Sequence, residues 1–417
     1  MVITVEKAVQ IVLDSIGVLE PVTVPILGAM GRVLGEDIVS AENIPAFDHA
    51  AISGYALRSE DIAKAGPNNP IQLTLDGEVM PGQRWPEIIK PLHAVKIIAG
   101  AQIPEKADCV IQEDSVVRQS SKKALVYKPA PEGDHIRYKG EDISTGSLTL
   151  PKGKKLNAHD IGIMSAIGIT EVKCFRNPKV SFLTSGKGLA ENGGELPEGW
   201  IRPSNRYTLH SQLSEYGAEP VDLGLAINDR QTIQTKIIEG LEHDMFISTT
   251  GPSLDDFAFV KKMLEQLGMD IKFWRVAIKP AKPFIFGTCG NVPIFGLSGH
   301  PFTFFIIMEQ FIRPALMKMM GSTIIKRTEV KATLTRDVRA DNGATCFMRG
   351  TVIVTESGFE VTPELKRTNS IKAFSTVNGL IVLPANSGYV AAGEKVIVQI
   401  LTDPLAGESR RITESIE

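Results

Sequence analysis

The spacing of apolar and polar positions changes character several times along the chain. Near the start, Val5, Ala8, Val9, Ile11, Val12 and Ile16 recur at helical intervals. Thr4 is placed to cap them and Glu6 sits in the first turn, so "TVEKAVQIVLDSIGVL" predicts a helix closed by Gly17. "EPVTVPILGAMGRVLGEDIVS" then predicts a short strand followed by a helix. From Ile44 to about Tyr138 the helical period disappears. Short runs such as "IQLTLDGEV", "AVKIIAG", "DCVIQEDSVV" and "KALVYKP", set among Pro and Gly, predict the strands of a compact β domain. Helical signal returns at Asn157 to Ile169.

From Lys179 the pattern alternates. Strand "KVSFLTSG" leads to helix "NRYTLHSQLSEYG", strand "EPVDLGLAI" to helix "DRQTIQTKIIEGLEHD", and strand "MFISTTG" to helix "SLDDFAFVKKMLEQLG". Strands "KFWRVAIKP", "PFIFGTC" and "VPIFGLSG" precede a long helix, "PFTFFIIMEQFIRPALMKMMG". Such alternation implies a mostly parallel sheet covered on both faces. Beyond Ile324, runs such as "TEVKATLTRDV", "TCFMRGTVIV" and "KVIVQIL" predict a small C-terminal barrel or sandwich. The expected fold class is therefore multidomain α/β. An N-terminal α+β domain takes residues 1–43 plus 140–178, an inserted β domain 44–139, an α/β domain 179–323 and a C-terminal β domain 324–410. The polar end, "AGESRRITESIE", is expected to fray.

Composition narrows the classes. A chain of 417 residues with 43% hydrophobic positions can bury several cores. Its formal net charge of -3 lacks the basic footprint of a nucleic-acid binder. No apolar run is long enough to span a bilayer, and "MVITVEKAVQ" does not read as a secretory leader. Cys109, Cys174, Cys289 and Cys346 are too dispersed for a zinc site or a disulfide framework, which suits a reducing, cytoplasmic setting. The expectation is a cytoplasmic protein that engages neither nucleic acid nor membrane.

In a parallel α/β sheet, ligands bind beyond the carboxyl ends of the strands. Four loops are expected there: "TSGKG" (Thr184, Ser185, Gly186, Lys187), "STTGPS" (with Thr250, Gly251 and Ser253), "IKPAKP" (with Lys279 and Lys282) and "GLSGHP" (with Ser298, Gly299 and His300). Pro301 suits a first helical turn, whose free N–H groups favour an anion. Two lysines on a proline-stiffened loop favour one as well. Any one Gly-rich loop of this kind more often merely turns the chain; four at one edge point to a pocket for an anionic small molecule. A second cluster, "GDHIRYKGEDI", sets Arg137, Lys139, Glu141 and Asp142 around Gly140. It reads equally well as a solvated charged turn.

These segments, in this order, resemble the molybdopterin molybdenumtransferase family, the MoeA proteins and the E domain of gephyrin. "IPAFDHAAISGYALRSED" is similar to the stretch around the family's Ser-Ala-Met-Asp-Gly-Tyr-Ala. "IIAGAQIPEKADCVIQED" is similar to its Thr-Gly-Ala…Pro…Gly-Ala-Asp. Arg137, Gly140, Glu141 and Asp142 match its Arg…Gly-Glu-Asp, and "IRPSNRYTL" keeps Ser204 and Asn205. "IKPAKP" matches Lys-Pro-Gly-Lys-Pro, "GLSGHPFT" matches Gly-Leu-Pro-Gly-Asn-Pro, and "FMRG" retains Arg349. The resemblance covers nearly the whole chain. It implies an elongated N-terminal domain, an inserted β domain, a three-layer α/β molybdopterin-binding domain and a C-terminal β-barrel. It also implies a homodimer whose cleft lies between the α/β domain of one subunit and the β domain of the other. The implied reaction takes adenylated molybdopterin and molybdate, releases AMP with Mg2+ and inserts molybdenum into the dithiolene.

The departures from the family pattern fall mainly on acids. The family's Asp before Gly-Tyr-Ala is Ser53, and the two acids of its Thr-Gly-Asp-Glu turn are Lys187 and Gly188. Its Ser-Gly-Gly-Val-Ser-Val-Gly-Asp-Tyr-Asp loop is the shorter "TTGPSLDDFA", where Asp256 stands near the first acid and Ala258 at the second. Mg2+ takes hard oxygen ligands, usually carboxylates with substrate phosphate. Asp255, Asp256, Asp142 and Asp114 are the partial substitutes that remain, and Lys187 would repel a divalent ion at contact distance. What the resemblance leaves as catalytic candidates is Asp142, Asp256, Lys279 and Lys282. Arg137, Ser204, Asn205 and Arg349 join the loop residues as ligand-binding candidates. The expectation is a pocket for molybdopterin or adenylated molybdopterin, with molybdate insertion reduced or lost and Mg2+ disfavoured. Two alternatives stand beside it: an active transferase with rearranged metal ligands, and an inactive scaffold that binds a protein partner.

Overall fold

The structure is a computed structural model that describes residues 2–227, 230–250, 254–281, 283–364 and 371–406. Helix α1 (Val5–Asp14) begins where the sequence predicts, with Thr4 Oγ1 accepting the Lys7 N–H at 3.2 Å. Its buried face of Val5, Ala8 and Val12 packs into the same core as Phe273, Met308, Phe311 and Leu316 of the α/β domain. The strand Pro21–Pro25 follows and pairs with Glu171–Phe175. The helix expected after it is a single 3-10 turn, Ile26–Gly28. Gly28 weakens helix propagation, Gly31 turns the chain at φ 76°, and Val33 and Leu34 then bridge to Lys155 and Cys174. Helix α2 (Ala158–Ala166) carries a full capping box between Asn157 and Asp160.

The inserted β domain is a six-stranded sheet whose central strands are Gly54–Leu57, His93–Ile97 and Ile71–Val79. Apolar side chains cover both of its faces. Gly54 is set so tightly that a Cβ there would lie 1.9 Å from the Ile111 carbonyl oxygen. That contact is backbone against backbone, so no side chain can rotate away to relieve it.

The α/β domain contains β1 (Lys179–Ser185), α3 (Ser204–Glu215), β2 (Glu219–Ala226), α4 (Arg230–Gly240), β3 (Met245–Thr249), α5 (Leu254–Gln266), β4 (Asp270–Arg275), β5 (Pro283–Cys289) and β6 (Val292–Leu297). Sheet order is β2-β1-β3-β6-β5-β4. The first four strands are mutually parallel, whereas β5 is antiparallel to β6 and β4 antiparallel to β5. Alternate residues of β1 serve opposite faces. Phe182 packs with Leu209 and Leu213 of α3, and Leu183 with Ile233 and Ile237 of α4. The sequence pattern ran β4 on through Lys279, but the strand ends at Arg275. Ile278–Lys279 pairs instead with Thr345–Cys346 of the C-terminal domain.

The long helix runs as α6 (Pro301–Ile307), a π turn (Met308–Ile312) and α7 (Arg313–Met319). Pro314 lacks the N–H that the Gln310 carbonyl would accept in a regular helix, and the widened turn accommodates its ring. The C-terminal strands β7 (Glu329–Leu334), β8 (Thr345–Thr355), β9 (Gly358–Pro363), β10 (Gly379–Leu383) and β11 (Lys395–Ile400) close as a barrel. Their order is β8-β9-β7-β11-β10, with β10 pairing back to β8. Buried Asn378 adds a side-chain rung: its Oδ1 accepts the Val352 N–H at 2.6 Å and its Nδ2 donates to the Val352 carbonyl at 2.9 Å. Among the described residues no helix is long and apolar enough to cross a membrane.

Gly54→Ala is expected to destabilise the inserted sheet by about 3 kcal/mol, the upper part of the range for forced overpacking. Denaturant unfolding of the full chain followed by circular dichroism measures it, and an unchanged midpoint would contradict the close approach.

Candidate functional site at the carboxyl edge of the sheet

The three central parallel strands end level with one another. Thr184 is in register with Thr249, and Thr249 with Leu297. The Thr249 hydroxyl donates to Thr184 Oγ1 at 3.1 Å, and the Thr250 N–H continues the ladder to the Leu297 carbonyl at 3.0 Å. Thr184, Ser185 and Thr250 are buried. Because β5 reverses against β6, it begins at this same edge, with Ile285 opposite Gly296. The loop from Val276 to Ala281 therefore arrives beside the ends of β1, β3 and β6. Within it Ala281 sits at φ 97°, a backbone region that favours glycine; the resembling motif has glycine there.

The excursion between Ser185 and Ser204 is pinned rather than slack. The Ile201 N–H donates to the Gly188 carbonyl at 2.9 Å, and the Ala190 N–H to the Ile201 carbonyl at 3.0 Å. The Arg202 guanidinium donates to the carbonyls of Glu191 and Gly194. Arg206 on α3 holds Asp222 through Nε at 2.8 Å and Glu191 through a terminal nitrogen at 2.6 Å. Burial works against the Arg206 charge, but the hydrogen bonds it donates to Asp222 and Glu191 outweigh it and raise its pKa. This clamp was missed in the sequence, although Arg206 directly follows Ser204 and Asn205. Lys187 projects from the turn, exposed, and forms no ion pair or side-chain hydrogen bond among the described residues.

Asn205 closes the front of the site. Its Nδ2 donates to the Gly299 carbonyl at 2.7 Å, tying the first turn of α3 to the loop Ser298–His300. His300 precedes α6 without capping it through its side chain, and its buried Nδ1 has no hydrogen-bond partner among the described residues. Thr184, Ser185, Gly186, Lys187, Ser204, Asn205, Thr250, Ser298, Gly299 and His300 thus gather at one edge of the sheet, on strand ends, loops and the first turn of α3. Gly251, Ser253 and Lys282 lie outside the described residues, as does the side chain of Asp256.

Other candidates have different surroundings. Lys279 is exposed and its Nζ pairs with Asp341 of the C-terminal domain. Arg349 on β8 is only 2% exposed, with its guanidinium 4.8 Å from the Phe302 ring and 4.9 Å from that of Phe374. Burial lowers its pKa, with Glu364 acting in the opposite sense. In this chain Arg349 joins the barrel to α6 through aromatic contacts. Arg137 pairs with Glu141, and Asp142 is held by its backbone N–H to the Ile44 carbonyl at 3.0 Å. Among the described residues, no hydrogen bond or ion pair links Arg137 or Asp142 to the sheet-edge loops. Ser53 Oγ accepts the Ala99 N–H at 3.1 Å inside the inserted domain, and Ala258 lies exposed on α5.

The donors around the turn do not fit Mg2+. Hydroxyl, glycine and ammonium occupy Ser185 to Gly188, and no cluster of three or more His, Cys, Asp or Glu suited to a metal exists among the described residues. A hollow of about 730 Å3 lies at the opposite edge of the sheet, near Asp14, Glu20, His243 and Val292, and none of the described candidate residues lines it.

Three family models match successive parts of the chain: the MoeA N-terminal region (domain I and II) over residues 3–168, a probable molybdopterin binding domain over 183–318, and the MoeA C-terminal region (domain IV) over 331–401. A molybdopterin molybdenumtransferase from Haemophilus influenzae is 32% identical over 375 residues, covering 89% of this chain and 91% of that protein. The chain belongs to the MoeA family. A second MoeA relative, a molybdopterin molybdenumtransferase from Staphylococcus aureus strain MRSA252, is 29% identical over 97% of both chains. The crystal structure of the molybdopterin biosynthesis MoeA protein from Pyrococcus horikoshii OT3 superposes with a TM-score of 0.83 at 30% identity, covering 96% of this chain and 100% of that one. The multidomain architecture, with a closed barrel at the C-terminal side, is the MoeA fold.

Arg206→Ala is expected to remove both ion pairs and loosen the Gly186–Pro203 loop. The cost is about 2 kcal/mol, the scale of charge-assisted hydrogen bonds. Limited proteolysis should then cut faster within this loop than in the parent chain.

Proposed function

We propose that the chain binds a phosphorylated, molybdopterin-like anion at the carboxyl edge of β1, β3 and β6 within molybdenum cofactor biosynthesis, and that its insertion of molybdenum is reduced or lost. The observation that carries this reading is Lys187, exposed and without an ion pair among the described residues, at a turn with no carboxylate. A free ammonium attracts phosphate without an intervening metal. The hydroxyl of Ser204 and the first turns of α3 and α6 add donors of the kind anions use. The names of the relatives point to the same ligand class.

The cytoplasmic, homodimeric form that the resemblance implies is part of this proposal. Its support is the separation of Arg137 and Asp142 from the sheet-edge loops within one chain. In a dimer, the turn that carries them can face the α/β domain of a second copy. Analytical ultracentrifugation is expected to give twice the mass of one chain, and a monomer at assay concentration would remove this part of the reading.

Isothermal titration with molybdopterin tests the ligand and metal arms together. Binding is expected to be equally strong with and without Mg2+, and Lys187→Ala is expected to weaken it about tenfold, the worth of one charge-assisted contact of roughly 1.4 kcal/mol. Strict Mg2+ dependence, or unchanged binding by the variant, would overturn the proposal. A molybdenum-insertion assay separates the catalytic arm: turnover at the level of the Haemophilus influenzae relative would establish an active transferase with rearranged ligands.

A further inference from the structure

A cavity of about 280 Å3 starts beside Ser204 and Asn205 and runs away from the sheet edge, between α3 and the π turn, toward the barrel. Successive turns of α3 line it with Thr208, Gln212 and Glu215. Phe304 and Phe305 face it from α6, and Phe374 and Leu401 enclose it from the C-terminal domain. The Phe305 and Phe374 rings lie 5.3 Å apart at 57°.

Two features describe what this space accepts. The first is Gln212: its Oε1 is buried and has no hydrogen-bond partner among the described residues, an unfavourable state that an arriving donor relieves. The second is charge. Both oxygens of buried Glu309 are already engaged, Oε1 by the Tyr216 hydroxyl at 2.7 Å and Oε2 by Arg327 Nε at 2.9 Å. Among the described residues, Glu215 and Glu309 stand against the guanidinium of Arg327, with Arg313 close behind, so this end of the space offers an anion no net positive charge. At just under the usual ~300 Å3 of a drug-sized site, the space suits one or two rings.

We propose that this cavity is a second ligand compartment, adjoining the anion pocket at Ser204 and Asn205, for a neutral planar heteroaromatic amide or amine. The ring packs against Phe304, Phe305 and Phe374, and an N–H of the ligand donates to Gln212 Oε1. The π turn shapes the floor, because it turns Glu309 toward Tyr216 and Arg327 and leaves Gln212 as the open acceptor. This inference does not rest on the identity of the anion bound at the sheet edge.

Nicotinamide and nicotinate make a matched pair of probes for the full-length chain: the same ring, one with N–H donors and neutral, the other anionic with none. Saturation-transfer NMR and titration calorimetry are expected to show saturable nicotinamide binding and at least tenfold weaker nicotinate binding. Inorganic phosphate should not compete. Gln212→Met, similar in length but without the acceptor, and Phe374→Leu, on the barrel side, are each expected to weaken nicotinamide at least fivefold. The two substitutions lie on different elements, so a folding defect in one leaves the other informative. Nicotinamide that fails to bind, binds no better than nicotinate, is displaced by phosphate, or binds both variants unchanged would overturn the proposal. Failure of the molybdopterin titration would not touch it.

Discussion

The even ending of β1, β3 and β6 is the constraint on which the rest of the site depends. Parallel pairing fixes each strand against its neighbour, so the register that aligns Thr184 with Thr249 and Leu297 also brings three loops to one line. The buried Thr249–Thr184 hydroxyl contact seals that register at its last residue, where a slip would be easiest. A one-residue shift would turn Phe182 and Leu183 to the wrong helical layers, so the packing of both faces resists it. The antiparallel return of β5 then adds a fourth loop to the edge without a further crossover helix.

Around this frame, the chain uses side chains to join segments far apart in sequence. Asn205 ties α3 to the loop before α6. Arg349 fits its guanidinium between Phe302 and Phe374, so the barrel meets α6 at its first turn. Glu309 gathers Tyr216 and Arg327, and Arg327 also reaches the Leu401 carbonyl at 3.3 Å. The edge of the sheet, the long helix and the barrel are thereby coupled, and the aromatic cavity lies in the seam between them.

Elements with strong local signals were legible in the sequence. The strand Ile71–Val79 matches its apolar run, and α2 begins at Asn157 because its capping box is local. The buried strands that lead into three of the edge loops were also legible as apolar runs, whereas "IKPAKP" follows a largely exposed edge strand that stops at Arg275. What could not be read depends on distant partners. Nothing near Ile278 announces that its ladder lies on Thr345, and nothing near Arg349 announces two phenylalanines from other elements. The helix expected after Pro25 failed for a local reason that apolar spacing hides: Gly28 and Gly31 interrupt it. For the site, the sequence exposed the exchange of carboxylate for ammonium at Lys187 but not the Arg206 clamp, because three-way contacts leave no periodic trace.

The rung supplied by Asn378 carries a chemical consequence. Asn followed by Gly, as in Asn378-Gly379, is the pair whose side-chain amide is most readily lost to attack by the next backbone nitrogen. Conversion to a carboxylate would replace the donor facing the Val352 carbonyl with a second acceptor, buried and charged, at the point where the barrel closes. The fold opposes that loss: the amide is held at both ends, and Gly379 is fixed in pairing with Ile400 and Gly350. Closure of the barrel thus slows the ageing of the residue that closes it, and a chain that opens there is exposed to irreversible damage as well as to unfolding.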